Sequence, residues 1–347
     1  MTILQSNTEE IAIEELHQRG CTDGLPIVLP TLEKVKTMAQ RVDIDLDMVI
    51  GIMGPREGAA SIEKVAAAAV MAGCLPDHFP VLVAAVKAVC DKAFDLTEVN
   101  QTTHSLAPVI LVNGPASLEC GNINHSFGIL GPGNRASACI GRALSLALIN
   151  IGGRHPGTTD MAIYSSPTKF TACFAEDESG SPFDPYHVSK GYAHEDSTVT
   201  VIGAESPHSI ILEPTSHGKG DAERLILCIA GAIANPGSNH IYRGGGGGVL
   251  VVLNPEHAEI LSSAGFDRRR IQHAICEKSV MEQDLAFKYY AGLNHVQEKD
   301  SADNASQLHA LNNPNQVMLV VAGGRGSYSM IMPTWAYAPP WKSSSHP

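Results

Sequence analysis

Three short apolar runs constrain this chain more than any other feature, because each stops abruptly at a turn. Pro108–Asn113 gives way to Gly114-Pro115, Val249–Leu253 to Asn254-Pro255, and Val317–Ala322 to Gly323-Gly324. Runs this short, bounded by Gly and Pro, read as strands buried on both faces rather than as helices. Helical patterns separate them: Ala136–Ile151 closed by Gly152-Gly153, Asp221–Ala234, Pro255–Ala264, and one from a capping Asp267 to Lys278. Thr198–Gly203 and Ser209–Glu213 read as further strands. The alternation predicts an α/β fold, a mixed sheet with flanking helices and long ordered loops. The three turns would then lie along one sheet edge, where ligands collect in open α/β folds.

The first hundred residues have a different character. Helical spacing covers residues 8–19 up to Gly20, 31–41 behind a capping Thr31, Ile62–Gly73 behind Ser61, and Val81–Phe94. The expected organisation is therefore a mainly helical region, 1–96, followed by an α/β region, 97–347. Residues 154–196 carry Pro, Gly, Asp, Ser and His with little periodicity, and long ordered loops of this kind mark candidate active-site segments. No internal repeat stands out.

Composition excludes several classes. The chain of 347 residues has 24 Lys+Arg against 36 Asp+Glu, a formal charge of −12, which disfavours a nucleic-acid binder. No apolar run of 18 residues lacks a charge or a breaker, so no membrane span is expected. The N-terminus lacks the basic and apolar regions of a signal peptide, and the 8 cysteines form no CxxC pair. A cytoplasmic, glycine-rich homo-oligomer is the expectation.

The best-formed anion site is Gly131-Pro-Gly133-Asn-Arg135 running into a helix, with Arg142 two turns along the same face. Open N–H groups at a helix start beside a guanidinium suit a carboxylate or phosphate. The structural alternative is an ordinary turn with Arg135 in a salt bridge. It is not a Walker loop, since the Gly-Lys-Ser/Thr ending is absent. The five glycines Gly244–Gly248 precede a strand instead of following one, so close packing is favoured there and a nucleotide is disfavoured. Arg243 just before them is a further cation for a ligand.

Glu176-Asp177-Glu178 clusters carboxylates in the loop region after a strand-like Lys169–Phe174, and a buried member would suit acid–base work. A solvated acidic turn is the commoner outcome of such a run. His104 and His125 are candidate bases or, with a carboxylate, ligands to a divalent metal, although no tight His pair occurs. For nucleophilic attack the candidates are Cys74, at a helix end, and Cys139, in the first turns of the helix after Gly-Pro-Gly. Buried cysteine is the structural default for both.

Several stretches together are familiar: Asp23-Gly-Leu-Pro-Ile-Val-Leu-Pro-Thr31, Ala69-Val-Met-Ala-Gly-Cys-Leu-Pro76, Val112-Asn-Gly-Pro115, Gly131-Pro-Gly-Asn-Arg-Ala136 with Ile140-Gly-Arg-Ala143, Asn150-Ile-Gly-Gly153 and Pro255-Glu-His-Ala-Glu259. This set resembles the large component of the bacterial UGSC-type (seleno)protein group, over about residues 20 to 330. The resemblance implies a small partner domain carrying a Cys/selenocysteine-Gly-Ser-Cys motif. That motif does not occur in this chain, so a redox thiol pair would come from another subunit. Cys74 lies within a matching stretch and Cys139 does not.

The leading expectation is a lyase or hydrolase that cleaves or hydrates a small anionic molecule. Gly131, Gly133, Arg135, Arg142 and Arg243 would hold its charge and Asn113 would orient it. Glu176 or Glu178 would move protons, with His104 or His125 and Cys74 nearby. The alternative is a non-catalytic large subunit that presents substrate to a thiol or selenol partner.

Overall fold

In the computed structural model of the protein, residues 4–290, 307–337 and 339–343 are described. The fold is α/β, and it divides into two compact units. The first comprises Met1–Glu176, Pro185–Ser206 and Ala336–Pro347; the second comprises Asp177–Asp184 and Pro207–Trp335. The division does not follow the change in character near residue 96. The helix Phe79–Val89 packs on the strands Ala107–Asn113 and Thr198–Ala204, so the N-terminal region and the sheet after it fall in the same unit.

The first unit begins with α1 (Glu9–Gln18) and α2 (Leu32–Ala39), each capped by a threonine hydroxyl that accepts from the third residue on. An antiparallel hairpin, β1 (Val49–Met53) and β2 (Gly58–Ser61), then interrupts the helical region. Its strands are short and half exposed, so they leave little periodic signal. The next helix, α3 (Ile62–Ala72), buries nine of its eleven residues, and its alanines allow close approach to α2 and to a later helix. Gly73, in the left-handed conformation at φ 81°, ends it. The next, α4 (Phe79–Val89), stops short of Phe94 because the Asp91 carboxylate accepts from Ala93 N and starts a separate 3₁₀ turn.

After α5 (Leu96–Gln101) comes β3 (Ala107–Asn113), every residue of it buried. Then follow α6 (Ala116–Glu119), α7 (Arg135–Asn150), β4 (Cys173–Ala175), α8 (Tyr186–Ser189) and β5 (Thr198–Ala204). Strand β4 is shorter than the apolar pattern suggests, since residues 167–169 form a 3₁₀ turn begun by Pro167. In this sheet β4 runs parallel to β3 on one side, β5 antiparallel to β3 on the other, and Trp341–Lys342 antiparallel to β5. Helix α7 lies directly on the chain before β4, and Gly141 permits it. A Cβ there would fall 2.4 Å from Thr171 Oγ1 and 2.6 Å from Ala172 N.

The second unit contains β6 (His208–Ile211), α9 (Asp221–Ile233), α10 (Asn239–Tyr242), β7 (Gly248–Leu253), α11 (Pro255–Ser263) and α12 (Arg268–Lys278). It continues with β8 (Val280–Glu282), α13 (Gln283–Tyr289), β9 (Gln307–His309), β10 (Val317–Val321) and β11 (Tyr328–Tyr337). Strand β10 runs parallel to β7, β11 antiparallel to β7, and β6 antiparallel to β11.

The two units therefore repeat one connectivity that the sequence alone does not reveal. Each has a strand, two helices, a parallel strand on one side and an antiparallel strand returning on the other: β3-α6-α7-β4-β5 and β7-α11-α12-β10-β11. The intervening segments differ in length, which hides the periodicity while preserving the topology.

Candidate functional site

The repeat sets two asparagines in equivalent places. Asn113 ends β3 and Asn254 follows β7, both buried. Strand register carries the equivalence further. With Val112 opposite Ala175, the next position along each parallel strand pairs Asn113 with Glu176; with Leu253 opposite Val321, it pairs Asn254 with Ala322. The first unit thus has a carboxylate where the second has a methyl group.

Glu176 is 3% exposed, and its Oε2 accepts from Asn113 Nδ2 at 2.5 Å and from the Tyr186 backbone N–H at 2.7 Å. Glu176 N donates to Val112 O, which ties the residue to the end of β3. His187, next to Tyr186, is fully buried. The carboxylate is held at the C-terminal ends of two parallel strands, the place where α/β folds assemble catalytic groups. Of the residues expected from sequence, Asn113 and Glu176 are the pair that the fold brings into contact. Tyr186 and His187 carry no distinguishing signal within the loop-rich stretch, and their place beside Glu176 is tertiary.

Asn254 is used differently. Its Nδ2 donates to Gly326 O and Tyr328 O, and its Oδ1 caps α11 by accepting from His257 N. Its own N–H donates to Ser329 Oγ at 3.1 Å, and Ser329 Oγ lies 2.7 Å from His257 Nδ1. Burial pushes the His257 pKa down, against the pull of the Leu212 backbone and of Glu256. Because the unfolded chain binds a proton that this buried histidine refuses, its contribution to stability is present above the unfolded value of about 6.5 and is lost as pH falls below it. His78, whose pKa burial also lowers, acts in the same sense. The urea midpoint is expected to fall between about pH 7.5 and about pH 5.5, with a shallower fall in His257→Gln. An equal slope in wild type and variant would remove His257 from this account.

The expected anion site is occupied by structure. Arg135 Nε and Nη2 donate to Gly73 O at 3.2 and 2.9 Å, closing the C-terminus of α3. Asn134 caps α7 by accepting from Ser137 N, while Gly131 and Gly133 are exposed in the preceding turn. Arg142 is bidentate to Asp23 at 2.7 and 2.8 Å and also donates to Leu25 O and Pro26 O, so it fastens the Asp23-Gly-Leu-Pro26 segment to α7. Arg243 lies over the Trp335 ring, 4.8 Å from its centroid. These three guanidiniums each have a partner within the protein.

The glycine run is a packing device. Asn312 and Gln316 side chains donate to the carbonyls of Gly244, Gly245 and Gly247, and a Cβ on Gly247 would sit 2.7 Å from Thr334 O. Glu178 is half-buried in the turn where Asp177 accepts from Gly180 N. His104 pairs with Glu205 at 3.2 Å, and His125 is half-buried. Among the described residues, no group of three or more His, Cys, Asp or Glu is arranged to hold a metal ion.

Burial acts on several of the thiols in the same direction. Burial pushes Cys74 well above its ordinary value, with Cys139 and Cys173 adding to the effect, and pushes Cys90 and Cys120 up to about 11. For Cys139, burial outweighs the stabilising guanidinium of Arg135. Cys74 itself is buried.

A second buried polar group lies along α7. Lys169 Nζ is bidentate to Asp160 at 2.6 and 2.7 Å, and all but a small part of both residues is buried. Arg154 Nη2 donates to Ser145 Oγ at 2.6 Å, and Ser145 Oγ donates to Lys169 O. Among the described residues no helix is long and apolar enough to cross a membrane. Compared with known proteins, the chain matches no family model and no curated protein.

Proposed function

We propose that the protein is an enzyme that cleaves, or adds water to, a small anionic organic molecule, with Glu176 as the group that moves the proton. The observation that supports this reading is the buried Glu176 carboxylate, held by Asn113 and the Tyr186 N–H at the ends of two parallel strands. One side-chain and one backbone N–H donate to Oε2, which helps to hold the carboxylate in place. The equivalent position in the second unit is Ala322, so the carboxylate is not needed to complete the shared connectivity.

The test is a screen of small carboxylic acids, both unsaturated and hydroxylated, for loss or gain of water, repeated with Glu176→Gln. Turnover by the variant is expected to drop by about a hundredfold or more, the usual weight of a general base, with folding unchanged by circular dichroism. Turnover by Glu176→Gln within about threefold of wild type would refute the assignment.

The absence of a Cys-Gly-Ser-Cys motif from the sequence favours a second reading, a large subunit that presents substrate to a partner with a thiol or selenol. The two separate cleanly: in that case turnover depends wholly on the added partner and survives Glu176→Gln.

A further inference from the structure

We propose that the cleft walled by α1, α3 and the chain entering α2 binds an amphipathic monocarboxylate, with Lys64 as the anchor for its charge. The cavity there measures about 1280 Å³. Small-molecule sites usually hold about 300–1,000 Å³, whereas packed helices leave almost no space between them. Its walls are periodic faces. Helix α1 contributes Ala12 and Leu16, one turn apart, and α3 contributes Lys64, Ala67, Ala68 and Met71, at i, i+3, i+4 and i+7. Helix α3 packs closely on α2, α4 and α7, but among the described residues α1 packs comparably on no helix or strand. Hydrogen bonds fix the chain on both sides of the cleft. Asn150 Nδ2 donates to Cys21 O at 2.8 Å, tying the segment after α1 to α7, and Val28 N donates to Met71 O at 3.2 Å.

Apolar walls alone would accept any hydrocarbon, and the charges narrow the choice. Lys64 is half-buried, and among the described residues its Nζ donates only to Ala59 O, at 2.8 Å, with no carboxylate in ion-pair range. An ammonium has further donors to offer. A cation in the first turn of a helix also opposes the helix dipole, so α3 itself gains nothing from a lysine at this position. The other cation of the cavity, Arg19, is taken by Glu15. One available positive charge suits one negative charge. The exposed Glu9 and Glu33, which also line the cavity, oppose a dianion such as a phosphate monoester. From Lys64 to Met71 the helix rises by about 10 Å, which gives an alkyl chain a continuous apolar track behind its carboxylate. Neither Glu176 nor Asn113 lines this cavity, and the inference does not rest on the role proposed for them.

The experiment is a calorimetric titration of the full-length protein with octanoate, with octan-1-ol and acetate as arms that keep only the tail or only the charge. Saturable binding of a single octanoate per chain is expected, with octanol and acetate each weaker by about threefold or more. Lys64→Gln should weaken octanoate by about threefold or more and leave octanol unchanged. Lys36→Gln, an exposed cation on α2, should change neither. Ala12→Leu, which fills part of the cavity, should weaken octanoate and octanol alike by about threefold or more. Absence of saturable octanoate binding, or uptake of many octanoates per chain, overturns the proposal. So does an effect of Lys64→Gln or Ala12→Leu on octanoate below about threefold, or octanol binding within about threefold of octanoate. If Ala12→Leu does not fold, nuclear Overhauser contacts from octanoate to the Ala67 and Ala68 methyls replace it, and their absence is equally fatal.

Discussion

Asp160→Asn is expected to lower the unfolding free energy by about 3–5 kcal/mol, the cost of removing one partner from a buried ion pair. In the native protein Lys169 is 9% exposed and Asp160 7%, with two hydrogen bonds between them. Burial pushes the Lys169 pKa down, and Asp160 pulls it back up. Without the carboxylate, Lys169 would lose its counter-charge while Arg154 continues to oppose its charge. The Asp160→Asn/Lys169→Met double variant removes the orphaned charge. It should be more stable than Asp160→Asn alone by about 1 kcal/mol or more, on the precedent that apolar replacements of whole buried pairs are often tolerated. Chemical denaturation of the four proteins of this cycle checks it. Additive losses would mean that the pair is not coupled. An Asp160→Asn loss below about 1 kcal/mol would place the pair in effective contact with solvent.

Gly141→Ala and Gly231→Ala should move stability in opposite directions, although both glycines lie inside helices. Intrinsic propensity favours alanine over glycine in a helix by about 1 kcal/mol. At Gly231, exposed on α9 with nothing within 4 Å of a new Cβ, that gain should be realised as a stabilisation of about 0.5–1 kcal/mol. At Gly141 the new Cβ meets Ala172 N at 2.6 Å, and a backbone atom cannot rotate aside as a side chain can. Forcing α7 off the chain before β4 costs about 1–3 kcal/mol or more in a tightly packed interior, which exceeds the propensity term. Thermal or urea midpoints of the two variants decide it. A stabilising Gly141→Ala would show that α7 and residues 171–172 are not in tight contact.

Much of the fold is legible in the sequence because it rests on local rules. The strands β3, β7 and β10 announce themselves by continuous apolar runs ending in Asn-Gly-Pro, Asn-Pro and Gly-Gly, since a strand covered on both faces has no polar alternation to keep. Thr31, Asn134 and Asp267 mark helix starts by supplying the acceptor that the first-turn N–H groups lack. The β1–β2 hairpin is not legible, because half-exposed strands amid alanine-rich helices produce no run. Nor is the boundary between units, because a compact unit is defined by what packs together and not by a shift in composition.

The candidate site is legible by halves. Glu176 and Asn113 can be singled out, one as a carboxylate in a loop, the other as an asparagine at a strand end. Their contact spans 63 positions of sequence and depends on the parallel register of β3 and β4. The arginines mislead for a related reason: a guanidinium beside a glycine turn reads as an anion receptor until its partner is seen. For Arg135 that partner is a carbonyl 62 residues away, and for Arg142 a carboxylate 119 away.

By itself, then, the sequence determined where strands stop and helices begin, because caps, turns and apolar periodicity act over a few residues. The tertiary structure alone decided which charges are spent and which are left over. Electrostatic partners are chosen by distance in space and by burial, and both are set only once β3, β4 and α7 have packed. The register within the first unit sets Glu176 beside Asn113, whereas the register within the second sets Ala322 beside Asn254.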